Sequence, residues 1–197
     1  NPADGASEFG FRSDGLSFGV DRKVGERGLV GASFGIGWND TDFDGTNSSL
    51  SGDQRALSVY GLFRGERWFV DGLVGYGELD FDIRRYSALV NDYGIASRSG
   101  DQLFGSLTLG YEHLRSDGRL VGYARVDGSH TTLDAYRETG LGIYDLSYTE
   151  QTVDNSTVSL GVEGGRITGF TSHMTGEVFA ALRGHTILGR MMRDGPP

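Results

Sequence analysis

GLVGASFGIGWNDTDFD, residues 28–44, decides the fold: apolar side chains recur at every second position and small residues fill the gaps. Val30, Ala32, Phe34, Ile36 and Trp38 share one parity, and Gly31, Ser33, Gly35, Gly37 and Asn39 share the other. Successive residues of an extended chain face opposite ways, so the stretch is a two-faced β-strand. One face is apolar; the other is small and polar.

The same alternation recurs on both sides of this stretch. It predicts strands over 8–21, 28–42, 54–64, 67–83, 101–114, 119–133 and 146–163, and an eighth in which Val178, Ala180 and Leu182 oppose Glu177, Phe179 and Arg183. In the fourth, Trp68, Val70, Val74 and Tyr76 hold one parity, but Leu79, Phe81 and Ile83 hold the other. That change of phase near Gly77 marks a bulge, or a strand leaving membrane depth. The connections alternate between short (22–27, 65–66, 115–118, 164–172) and long (43–53, 84–100, 134–145). Outer-membrane barrels combine short periplasmic turns, long external loops and strands alternating apolar-out with polar-in. A soluble β-sandwich has no need of that regularity.

Composition agrees with a barrel. Thirty-three glycines against three prolines, with eleven Phe and nine Tyr, need a packing reason, because glycine weakens helices and strands alike. A crowded or water-filled barrel interior supplies one. Cysteine is absent, which removes disulfides, thiolate metal sites and a cysteine nucleophile. No apolar run reaches 18 residues, which rules out a spanning helix, but a spanning strand needs only about 9 to 11; the mean hydropathy of −0.32 therefore does not argue against a membrane. The net charge of −9 comes from 27 acidic and 18 basic residues spread along the chain, a distribution that argues against nucleic-acid binding. The opening NPADGASE lacks the basic and apolar regions of a signal peptide, so such a segment was removed or the chain is an internal piece.

Motifs for chemistry are weak. Gly31-Ala32-Ser33-Phe34-Gly35 matches G-x-S-x-G, but a nucleophile elbow needs a strained strand-to-helix turn, and here the strand pattern runs straight through. His113, His130, His173 and His185 show no partner spacing. Asp40-Thr41-Asp42-Phe43-Asp44-Gly45 resembles the start of a calcium loop, but position 12 is Ser51 where the bidentate glutamate should be, so a solvated surface is the better reading. No catalytic residue, metal or cofactor is expected. The informative charges are Glu112, Arg125, Asp127, Glu163, Glu177 and Arg183, all on the parity opposite their strand's apolar residues. Facing lipid each would cost a few kcal/mol at midplane; facing inward they line a pore, or pair across strands to hold its shape. Trp38, Trp68, Tyr76, Tyr111 and Tyr123 are candidates for interfacial girdles.

Three phrases carry a family resemblance: LSFGVDRKVGERGLVGASFGIGWNDTDFDG (16–45), LSVYGLFRGERWFVDGLVGYGELDFDIRR (57–85) and LSYTEQTVDNSTVSLGVEGG (146–165). In this order they resemble the repeated strand phrases of the C-terminal translocator β-barrel of bacterial autotransporters, the type V secretion systems. The resemblance implies a meander barrel of twelve strands, an α-helical segment in the pore ahead of the first strand, and a last strand ending in an aromatic residue. Eight strands are legible here, so residues 1–197 are expected to be one incomplete barrel domain, with one strand missing before Glu8 and three after Arg183. The implied function is export and surface anchoring of an N-terminal passenger in cis. The implied partners are outer-membrane lipid and the barrel-assembly machinery, for a monomeric barrel that is not an enzyme. A stand-alone small barrel serving as anchor or adhesin, and a soluble β-sandwich binding module, are the alternatives.

Overall fold

The computed structural model describes residues 9–43, 46–115, 118–171 and 174–194, with side chains over 10–43, 46–114 and 118–165. Eight long strands make a single antiparallel sheet: β1 (Phe9–Val24), β2 (Gly28–Phe43), β3 (Ser48–Arg64), β4 (Trp68–Ser87), β5 (Asp92–Arg115), β6 (Gly118–Leu133), β9 (Gln151–Thr171) and β10 (Met174–Asp194). Between β6 and β9 lie a two-residue pair, β7 (Tyr136–Arg137) with β8 (Ser147–Tyr148), and a 3-10 turn over Gly142–Tyr144. Each long strand pairs with the next in the chain, so the sheet is a meander, and β1 and β10 are its edges among the described residues.

Register carries one face through the whole sheet. Phe18 of β1 stands opposite Phe34, Phe34 opposite Leu57, Leu57 opposite Tyr76, and Tyr76 opposite Leu103. Val74 and Val59 follow one step lower, then Leu107 with Val126 and Val158. These side chains are exposed although apolar: Phe18, Leu57, Leu107, Val126 and Leu160 each keep more than half of their surface open. The opposite face is crowded, with Ser58, Thr108, Val121 and Ser159 buried. A single-layer sheet buries one face only by curling around it. Gly15 and Ser17 of β1 accordingly line the same cavity as Gln102 and Phe104 of β5. The crowded face is concave and the apolar face convex.

Glycine is what lets the concave face close up. Tyr60 lies directly opposite Gly31, Phe69 opposite Gly110, Phe104 opposite Gly75 and Tyr123 opposite Gly161. In every case a Cβ on the glycine would run into the facing ring. Each ring lies flat across its neighbouring strand, a cross-strand contact that only a missing side chain permits.

The strands are longer than alternation alone predicts. Residues 48–53, 84–87 and 92–100, expected as loop, are paired strand, and β9 runs on through Thr171 into the expected connection 164–172. The asymmetry between the two ends of the sheet is thus carried by hairpins that rise high on one side; at two of their tips the described residues outside strands are 46–47 and 88–91. No bulge occurs near Gly77: pairing of β4 with both neighbours is continuous there. Of the two readings of the phase change, the strand leaving membrane depth is the one the register supports. Trp68 to Tyr76 gives an apolar convex stretch of nine residues, roughly 30 Å of strand and enough for a tilted crossing. Beyond it the convex face turns to Glu78, Asp80 and Asp82, while Leu79, Phe81 and Ile83 turn inward.

Candidate pore face and the loop above it

Alternation fixes which way each candidate charge points. Glu112 of β5, Arg125 and Asp127 of β6 and Glu163 of β9 all stand on the concave parity, opposite Tyr111, Ala124, Val126 and Val162 on the convex one. The backbone register gives Glu177 and Arg183 of β10 the same parity, through partners Ile167 and Gly161; their side chains lie outside those described. Tyr123, expected in an interfacial girdle, stands on the concave face instead, against Gly161. Its parity follows Arg125 and not Ala124, a detail that the apolar character of the ring hides. Trp38, Trp68, Tyr76 and Tyr111 are on the convex face and exposed.

The concave charges form a chain across four strands. Arg64 of β3 donates to Glu112 at 3.2 Å, reaching past β4; Arg119 of β6 meets the same carboxylate at 3.5 Å and Glu163 at 3.4 Å. Glu112 is the most enclosed member, its side chain 14% exposed. Arg125 pairs with Asp127 two residues along its own strand at 2.7 Å. Asp71, Thr108 and Tyr123 line the cavity that holds Arg64, Glu112, Arg119, Arg125 and Glu163. Arg119 presents a buried Nε with no partner into this cluster. Sequence reading missed Arg64, Asp71 and Arg119. Parity alone would have found Asp71, opposite Val70, and Arg119, opposite Leu120; Arg64 sits at a strand end where turn and strand signals compete.

Higher on the concave face is uncharged polarity and then the connection 134–150. Ser33 hydrogen-bonds Ser58 at 2.7 Å in mid-strand, a cross-strand contact between two neutral hydroxyls and not an elbow. Asp40 and Asp42 are two residues apart on the convex face of β2, and Asp44 and Gly45 lie outside the described residues. Above them Glu138, 1% exposed, accepts hydrogen bonds from Arg85 at 2.6, 2.9 and 3.1 Å and from the Leu146 N–H at 3.2 Å. The Arg85 guanidinium holds this carboxyl below the usual carboxylate range, outweighing burial, which pushes the other way. The same bonds raise Arg85. Tyr136 stacks on Tyr148 at 4.7 Å, and burial raises its phenol.

Comparison with known proteins fits this architecture. The family model described as the autotransporter β-domain matches residues 1–185. The fold is similar to the translocator domain of the autotransporter NalP from Neisseria meningitidis, at 18% identity and a TM-score of 0.66, covering 98% of this chain and 77% of that one. It is similar to the β-domain of the Bordetella autotransporter BrkA as well, at 18% identity and a TM-score of 0.68, covering 93% and 74%. No curated protein matches. With its all-β antiparallel meander and its lipid-compatible convex band, the chain belongs to the autotransporter β-domain family, outer-membrane translocators that export a passenger carried on the same polypeptide.

Proposed function

We propose that the concave face is the wet wall of the translocation path, with Glu112, Arg125, Asp127 and Glu163, and by parity Glu177 and Arg183, lining the lumen. The observation that supports this is the continuous register, which sets these charges opposite an exposed apolar band about one membrane thick. An extended passenger carries unpaired N–H and C=O groups, which need water or polar side chains during transit. Serine, threonine and glutamine on the concave face offer both. The charged chain near the short turns keeps its members paired, so passing peptide meets a hydrated surface without one dominant charge.

Residues 1–197 act as one domain. Both edges of the described sheet carry unpaired backbone, which lipid penalises at several kcal/mol per group, so in the membrane each edge must gain a strand partner. The barrel is monomeric, reaches the outer membrane through barrel-assembly machinery, and catalyses no reaction of its own. Site-specific photo-cross-linking tests the reading: a probe at Ser106 or Thr157, both concave, should capture a passenger stalled in export, while a probe at Leu107 or Leu160, both convex, should capture lipid. Passenger adducts from the convex positions would overturn it.

A further inference from the structure

The connection 134–150 folds back toward the sheet instead of standing clear of it. Pairing of β5 with β6 ends at Gly100 and Leu133, which leaves the upper part of β5 with an open side. The connection fills that side: the Asp134 N–H donates to the Ser99 carbonyl at 2.9 Å, and Thr139 and Ile95 exchange both backbone hydrogen bonds at 2.9 Å. From there Glu138 reaches across β5 to Arg85 on β4. The path is open because Gly94, the register partner of Arg85, has no side chain; a Cβ there would lie 3.0 Å from Leu141 and 3.1 Å from Glu138. Arg98, on the same concave parity, holds the other limb by donating to the carbonyls of Leu133 (3.2 Å), Asp134 (2.7 Å) and Thr149 (3.4 Å) and to Gln151 (3.0 Å). The side-chain anchors, Arg85 with Glu138 and Arg98 with its carbonyls, lie on the inward side of the β4–β5 hairpin above the apolar band, while the backbone bonds at Ser99 and Ile95 extend the edge of β5 in the plane of the sheet.

The attachment is polar at both limbs and has little apolar burial behind it. Leu141 is the only buried apolar side chain among 134–150, whereas Ile143 is 92% exposed and Tyr144 and Leu146 face solvent. Gly140 and Gly142 adopt positive φ, of 112° and 64°, giving the tight turns that bring Leu141 over Gly94. A segment with so little buried apolar area opens at low free energy once its polar anchor breaks.

We infer that residues 134–150 are a lid, a strap folded across the external mouth and latched by Arg85 and Glu138, which emerging polypeptide must displace and which closes again behind it. This rests on the concave face being the lumen.

Residues 1–197 contain no cysteine, so single thiols can be placed in this domain of the full-length protein, with any cysteine elsewhere replaced by serine, and probed on intact cells. Single thiols are placed at Gln102→Cys (concave, below the lid) and Leu103→Cys (convex), and a bulky charged maleimide is added outside. In a Glu138→Gln background the Gln102→Cys thiol should react about tenfold faster, because the latch loses hydrogen bonds to a charged group. Equal rates in the two backgrounds overturn the lid. Reaction at Leu103→Cys with none at Gln102→Cys in either background instead sinks the lumen assignment. A second arm does not depend on the latch variant folding: Ile95→Cys with Thr139→Cys places a disulfide across the bridge. Oxidised, it should arrest surface appearance of the passenger until reductant is added; export through the oxidised form at the wild-type rate overturns the inference.

Discussion

Gly110→Ala isolates the packing rule of the concave wall. A Cβ on Gly110 would enter the Phe69 ring, which lies directly opposite on β4. Two opposed effects follow. Alanine restricts the unfolded chain more than glycine does and should stabilise by roughly 0.5–1 kcal/mol. Forcing the ring off its neighbour is an overpacking change of about 1–3 kcal/mol. Overpacking wins, and the expected net loss is about 1–2 kcal/mol. Gly122 is the control: it stands on the convex parity of β6, and nothing lies within 4 Å of the added Cβ, so Gly122→Ala should be neutral or stabilising by up to about 1 kcal/mol. Phe69→Leu alone removes ring contacts, but combined with Gly110→Ala it leaves room for the methyl group. The cycle should therefore show a favourable coupling of about 1 kcal/mol. Reversible denaturant unfolding in lipid vesicles, read by intrinsic fluorescence, measures the four forms of the cycle and the Gly122→Ala control. If Gly110→Ala gains as much stability as Gly122→Ala, or the cycle is additive, the rings do not occupy the glycine positions in the way the fold requires.

Other perturbations separate the two faces and the two ends. Leu107→Arg puts a charge in the convex band and should cost about 2–4 kcal/mol of folding free energy in vesicles, well above the cost of Ser106→Arg next door; similar costs would contradict the assigned faces. Arg119→Met strips a partner from both Glu112 and Glu163. Because Arg119 is 38% exposed, the expected loss is only about 1 kcal/mol, and it should be strongly non-additive with Glu112→Gln. For the latch, the carboxyl of Glu138 sits below its ordinary range, so ionised Glu138 stabilises docking above that range, and the contribution is lost as pH falls through the lowered folded value. Hydrogen exchange in 134–150, corrected for intrinsic rate, should accelerate on acidification in the wild type. With Glu138→Gln exchange should be fast and flat with pH; an unchanged acid response would refute the assignment.

Why some of this was legible in sequence and some was not follows from how polarity is arranged along a strand. Within the membrane the solvent on the two sides differs in kind, lipid against water, so apolar and polar parities separate cleanly in the 28–38 stretch. Strand direction, family phrases and the inward set Glu112, Arg125, Asp127 and Glu163 all follow from that contrast. Above the membrane both sides of a hairpin meet water, and what decides burial is whatever folds over the inward side. At Gly77 the pattern therefore inverts without any break in pairing: Glu78, Asp80 and Asp82 face out, and Leu79, Phe81 and Ile83 face in. A reader tracking one parity sees the strand end there, and so strand residues in 84–100 pass for loop. Tyr123 fails for a related reason, since an aromatic ring suits both an interface and a glycine opposite, and only the register shows that Gly161 is waiting. Glu138 is the limiting case. A lone carboxylate in a Gly-rich connection reads as solvated, and its burial depends on Arg85, 53 residues away in sequence, and on the empty position at Gly94. Charges paired within a hairpin can be found from alternation, but a charge paired across a lid becomes visible only when the fold brings its partner over it.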